Sequence, residues 1–163
     1  MIDKIKEFLD LAKKMNQQLG IIPLLFGSVA LNMHVKDDVK TGDLDIALPN
    51  FMRPDRNYLC PEYIMFMEKN GYKFIDLWEG EFHKDDLIIH TAGDNWFKEY
   101  AGIDAIEFPI MQSDGAIYKL FTIEHLIKTY TKSAREREDE GGKNYHQVKL
   151  EIARKAFECR EIN

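Results

Sequence analysis

Apolar residues recur at helical spacing near the start of the chain. Ile2, Ile5, Phe8, Leu9, Ala12, Met15 and Leu19 share one face, charges occupy the other, and Gly20 follows as a stop. The pattern predicts an amphipathic helix over residues 2–19 that packs against a sheet. Ile21 to Phe26 then changes to a short apolar run rich in branched residues, which reads as a buried strand, with Pro23 pointing to an edge or first-residue position. At Gly27 the period becomes helical again through Val29, Ala30, Met33 and His34, and Ser28 is the expected N-cap. Leu44, Ile46 and Leu48 alternate with Asp43, Asp45 and Ala47, the two-residue period of a strand.

Beyond Pro49 the pattern loosens. Asn50 to Pro61 is turn-rich, and its Arg53 and Arg56 are either solvated loop residues or candidates to meet a phosphate chain. Glu62 to Asn70 reads as a helix through Tyr63, Ile64, Phe66 and Met67, closed by Asn70-Gly71. Tyr72–Trp78 and Asp86–Thr91 read as the two strands of a hairpin. Gly93 to Gly102 reads as a loop whose Trp96, Phe97 and Tyr100 either cap the core or stack on a base. Ala105–Ile110 and Ala116–Leu120 are a further strand pair joined at Ser113-Asp114-Gly115. Thr122 is the expected N-cap of a helix through Ile123, Leu126, Ile127 and Tyr130, and a last helix runs through Val148, Leu150, Ile152, Ala153 and Phe157. The order predicts a mixed α/β (α+β) sheet flanked by helices, in one domain spanning residues 1–163.

The candidate chemistry lies between Leu24 and Pro49. A strand that ends at Gly27-Ser28 and opens a helix leaves backbone N–H groups free, a natural seat for an anion. Asp43 and Asp45 are alternate residues of one strand, so their carboxylates share a face with Cα atoms about 7 Å apart, close enough to converge on a hard cation. If the two strands are antiparallel neighbours, Gly27-Ser28 and Asp43-Asp45 come side by side. Each half alone is more often structural, a plain turn or a solvated strand face; their combination at this spacing favours function.

The run GSVALNMHV followed by KTGDLDIAL resembles the signature of polymerase-beta-type nucleotidyltransferases, in particular small bacterial members of the abortive-infection type. The matching positions are Gly27, Ser28, Ala30, Leu31, Thr41, Asp43 and Asp45, a stretch of about 25 residues. The resemblance implies a nucleotidyltransferase fold and transfer of a nucleoside monophosphate from a nucleoside triphosphate to a hydroxyl. It implies two Mg²⁺ ions on Asp43 and Asp45, with Gly27, Ser28 and Thr41 at the nucleotide. It also implies a third carboxylate on a neighbouring strand, where this chain reads Ile88-Ile89-His90; His90, Asp86 and Asp76 are the candidates to stand in for it. Lys128 and Lys143, the latter before Asn144 rather than an acidic residue, resemble lysines that hold the phosphates in such proteins.

Gly141-Gly142-Lys143 is no phosphate-binding P-loop, because Asn144 replaces the required Ser or Thr. A net charge of −6 argues against binding long duplex nucleic acid and tilts the acceptor toward a small molecule, a protein or an RNA end. Cys60 and Cys159 have no metal-type spacing and are expected to be free thiols, and no apolar run reaches membrane-spanning length, so a cytoplasmic protein is the default expectation. Replacement of the third carboxylate keeps a rival open: a catalytically degenerate module of the same fold that binds nucleotide or a protein partner, as toxin–antitoxin pairs do.

Overall fold

The computed structural model describes residues 2–35, 39–53, 58–138 and 144–162; the side chain of Ile162 is not included. Helix α1 (Lys4–Leu19) starts where the Asp3 carboxylate accepts from the N–H groups of Ile5 and Lys6 and stops where Gly20 turns left-handed at φ 67°. Its predicted face is the buried one: Phe8, Leu9, Leu11, Ala12 and Met15 lie against the sheet, and each large side chain removed from water contributes roughly 1.5–3 kcal/mol.

The strands are β1 (Leu24–Phe26), β2 (Leu44–Leu48), β3 (Lys73–Asp76), β4 (Glu81–Lys84), β5 (Leu87–Gly93), β6 (Ile110–Ser113) and β7 (Ala116–Leu120). They form one mixed sheet in the order β3-β4-β5-β2-β1-β7-β6. Pairing of β1 with β7 and of β2 with β5 is parallel, and the other pairs are antiparallel. The remaining helices are α2 (Gly27–His34), α3 (Pro61–Lys69), α4 (Trp96–Ala101), α5 (Ile123–Glu136) and α6 (Tyr145–Ile162). This is the mixed sheet flanked by helices that the chain's periodicity predicts.

Several local expectations are corrected. Strand β1 is shorter than the apolar run and lies inside the sheet. Pro23 is tolerated because it stands just before the strand, where its carbonyl accepts from the Lys119 N–H. Ser28 is not an N-cap: Gly27 already opens α2, and no side chain caps that end. The stretch 72–91 holds three strands, not two, because Phe82 buries itself between Glu81 and His83 and adds β4, which forms antiparallel hairpins with both β3 and β5. Residues 96–101 are helix rather than loop, ended by Gly102 at φ 67°. Asp104 caps a 3-10 turn at Ala105–Glu107, so the strand expected over 105–110 begins only at Ile110. Thr122 does cap α5, its Oγ1 accepting from the His125 N–H while His125 Nδ1 accepts from the Thr122 N–H.

Candidate active site

Strands β1 and β2 are antiparallel neighbours with Phe26 opposite Asp45. Gly27 therefore sits over the Asp45 carboxylate. A Cβ on Gly27 would lie 2.2 Å from Asp45 Oδ2, and the residue's φ of +71° is one that side chains rarely adopt. The first turn of α2 begins at this contact, so its uncapped N–H groups and the carboxylate share one corner of the fold.

On the other side of β2, Asp45 lies opposite His90 of β5. His90 Nδ1 is 3.4 Å from Asp43 Oδ2 and 3.9 Å from Asp45 Oδ1, while its Nε2 is 3.4 Å from Glu81 Oε2. Glu81 in turn pairs through its other oxygen with His83 Nε2. Two carboxylates and an imidazole thus converge, with a third carboxylate behind the ring. Desolvation pushes the Asp45 carboxyl up to about 7 from an ordinary 3.8; the nearby His90 opposes that rise, Asp43 reinforces it, and Lys149 and Lys4 oppose it more weakly.

The cations that face this pair come from helices at the two ends of the chain. The Lys4 ammonium donates to the Thr41 carbonyl at 3.1 Å, to Thr41 Oγ1 at 3.2 Å and to the Gly42 carbonyl, which ties down the loop entering β2. Lys149 of α6 is half-buried: desolvation lowers its pKa, and the charges of Asp45 and Asp43 pull it back up.

A cleft of about 850 Å³ opens from Asp45 and His90, walled by Trp78, Trp96, Tyr100 and Lys132. Arg53 also lines it, but it is a buried residue rather than a solvated one. Its guanidinium donates to the carbonyls of Leu77, at 3.3 and 3.4 Å, and Trp78, at 2.6 Å.

Of the residues singled out in the sequence, Gly27, Ser28, Asp43, Asp45 and His90 come together. Ser28 is buried in the first turn of α2, and Thr41 stands at the edge of the group, occupied by Lys4. Asp86 does not join them: it is exposed in the β4–β5 turn, before β5 begins and four residues short of His90. Asp76 is spent on the N–H of Trp78. Lys128 lies exposed on α5, in a shallow groove with Ala101 and Thr131 outside the cleft. Lys143, Arg56 and Gly141-Gly142 lie outside the described residues. Glu81, Lys4 and Lys149 carried no legible signal: each sits in an ordinary amphipathic or alternating pattern, and only the tertiary fold brings it to the aspartates.

Among the described residues no group of three or more His, Cys, Asp or Glu side chains is arranged to hold a metal ion by itself. An acidic pair that shares a cation with substrate phosphates needs no such cage. No described helix is long and apolar enough to cross a membrane.

The fold is that of nucleotidyltransferases. Similar solved structures are an antigenic nucleotidyltransferase-like protein from Paracoccidioides brasiliensis (TM-score 0.64, 11% identity, 93% of this chain and 75% of that one) and the antibiotic-resistance factor ANT(2″)-Ia. The latter matches both in solution (TM-score 0.61, 14% identity, 96% and 86% covered) and in complex with adenylyl-2″-tobramycin (TM-score 0.64, 16% identity, 98% and 91% covered). At such identities the likeness is one of fold. No family model matches the sequence. The chain is 33% identical over 150 residues to the uncharacterized protein YnaI of Bacillus subtilis (strain 168), a match covering 91% of this chain and 94% of that protein, and it belongs to the YnaI family.

Proposed function

We propose that the protein is a metal-dependent nucleotidyltransferase that moves a nucleoside monophosphate from a nucleoside triphosphate to a hydroxyl acceptor. The observation that carries this reading is the packing of Gly27 onto Asp45: it sets an uncapped helix N-terminus, suited to phosphates, against a carboxylate pair suited to their counter-ion. The motif resemblance and the fold of the structural neighbours support it. That the fold's neighbours include a protein solved with an adenylylated small molecule is consistent with a small hydroxylated acceptor.

The residues present suit a divalent cation. A carboxyl that burial has pushed up to about 7 is short of positive charge, and Asp43 beside it adds to the deficit. Asp43 and Asp45 would hold Mg²⁺, which when bound offsets the negative charge on the triphosphate and the attacking oxygen.

The chain's own groups would act as follows. The N–H groups of the first turn of α2, with the Ser28 hydroxyl, hold the terminal phosphates. Gly27, lacking a side chain, leaves room for the phosphates to approach Asp45. With its proton on Nε2 facing Glu81, His90 presents a basic Nδ1 toward the aspartate pair, where it can take the acceptor's hydroxyl proton. The acceptor oxygen bonds to the α-phosphorus as the bond to the bridging oxygen breaks, and pyrophosphate leaves toward α2. Lys149, which feels the charges of Asp45 and Asp43, would offset charge on that leaving group.

One observation favours the rival: β5 carries His90, not a carboxylate, beside Asp45. A module that binds nucleotide without transferring it, in partnership with another protein, would need nothing more. Titration of each nucleoside triphosphate with and without Mg²⁺, against Asp43→Asn and Asp45→Asn, tests the site. Metal-dependent binding lost in both variants supports it, and unchanged affinity in both removes it. Release of pyrophosphate by the wild type, slowed in His90→Ala at unchanged nucleotide affinity, separates the enzyme from the module.

A further inference from the structure

Both tryptophans of the chain wall the same cleft, the one that starts at Asp45 and His90. Trp96 of α4 stacks on Tyr100 with ring centroids 4.5 Å apart and planes at 19°, and the Lys132 ammonium lies over the Tyr100 ring at 4.4 Å. Trp78 stands on the turn between β3 and β4 and is 56% exposed, unusual for so large an apolar ring.

The turn that carries Trp78 is held unusually firmly for a surface loop. Arg53, 3% exposed, grips the carbonyls of Leu77 and Trp78 from beneath. The Trp78 N–H donates to Asp76 Oδ1 at 3.1 Å, and the Thr91 N–H donates to the Gly80 carbonyl at 3.0 Å, one residue beyond His90. Gly80 is left-handed at φ +59°, and a Cβ there would lie 2.5 Å from the Thr91 carbonyl oxygen. A buried guanidinium and a close backbone approach thus fix an exposed indole at the mouth of the cleft. Packing of the turn itself needs no tryptophan there.

We propose that this cleft is the pocket for the nucleoside half of the donor nucleotide, and that Trp78 is the ring on which its base stacks, with Arg53 as the positioning residue. The inference rests on the nucleotidyltransferase reading. A triphosphate seated on the first turn of α2 reaches Asp45 from one side, and the cleft begins at Asp45 and leads away from it. Its volume, about 850 Å³, is within the range of roughly 300–1,000 Å³ usual for small-molecule sites. Aromatic faces recognise any base, so the pocket sets affinity for a nucleoside more than choice among bases.

The experiment compares ATP, GTP, CTP and UTP with inorganic tripolyphosphate, each titrated with Mg²⁺ into wild type, Trp78→Ala and Trp78→Tyr. The expected result is that wild type binds at least one nucleotide more tightly than tripolyphosphate. Trp78→Ala then loses about tenfold in nucleotide affinity, as removal of a stacking ring does elsewhere. Tripolyphosphate affinity stays unchanged, and Trp78→Tyr recovers most of the loss. Nucleotide affinity unchanged in Trp78→Ala, with tripolyphosphate still bound, overturns the pocket while leaving the phosphate seat standing. An equal loss for tripolyphosphate also overturns it, since the ring would then act on the phosphates. Absence of binding of all five ligands to wild type removes the donor-nucleotide reading and this inference with it.

Discussion

Gly27 and Asp45 are packed so closely that any other residue at position 27 must displace the carboxylate: a single added methyl would lie 2.2 Å from its Oδ2. The contact is a product of register. Because Phe26 pairs with Asp45 across β1 and β2, the residue that follows Phe26 must pass over that carboxylate as the chain turns into α2.

Gly27→Ala is therefore expected to lose stability by about 1–3 kcal/mol, from the left-handed backbone together with displacement of Asp45. The loss should show as a lower thermal midpoint. The double variant Gly27→Ala/Asp45→Gly frees the space and should recover more than half of the loss. Equal midpoints for the single and double variants would mean that backbone strain alone is responsible.

Asp45 also predicts a pH dependence. Its carboxyl titrates at about 7 in the folded chain and at an ordinary 3.8 when exposed. Between those values the unfolded chain gives up its proton while the folded one keeps it, so stability falls as pH rises through that window and the penalty is complete above about 7. Asp45→Asn, which never ionises, should be more stable than wild type by a margin that grows from pH 4 to 7 and then levels off, at up to about 4 kcal/mol. Mg²⁺ should narrow that margin at pH 8 and leave it unchanged at pH 5, because only the ionised carboxylate binds the cation. Urea titrations at four pH values, with and without Mg²⁺, measure both effects.

Much of this site was legible in the chain because its parts are local. Gly27-Ser28 and Asp43-x-Asp45 each lie on one element, and the antiparallel pairing of two short apolar strands follows from their adjacency. What escaped reading is whatever depends on distant chain. Glu81 lies on a strand of four residues that exists because Phe82 finds a pocket beside Phe74 and Tyr63, a fact of tertiary packing. Lys4 belongs to a helix whose pattern reports only packing, yet its ammonium reaches 37 residues forward to Thr41. Asp86 illustrates the opposite error. Alternation with Ile88 and His90 gave it a strand position, whereas the left-handed Asp85 at φ 53° makes it part of a turn.

Among the described residues, Tyr130 carries a buried hydroxyl with no hydrogen-bond partner, and burial raises its pKa further, with the Asp45 charge adding to the rise. An orphaned hydroxyl costs roughly 1–3 kcal/mol in desolvation. Tyr130→Phe keeps the ring in the core and should leave the protein as stable as wild type or more stable by about 1 kcal/mol, read from the urea midpoint at constant slope. A loss greater than about 1 kcal/mol would show that the hydroxyl is satisfied in solution, for example by a buried water.

Glu81 gives the sharpest test of the proposed proton path. Its Oε2 lies 3.4 Å from His90 Nε2, and its other oxygen is taken by His83. Glu81→Gln preserves the shape and removes the charge that steadies an imidazolium. Pyrophosphate release should fall by about 10- to 100-fold, with the affinity for nucleotide and Mg²⁺ unchanged, since Glu81 faces away from the aspartate pair. A double-variant comparison distinguishes this role from a structural one. If Glu81 acts through His90, its loss costs little further rate once His90→Ala has already removed the ring, and the fall lies in kcat rather than KM. Full additivity of the two losses in Glu81→Gln/His90→Ala would assign Glu81 to holding β4 in place and would leave His90 without a partner in proton transfer.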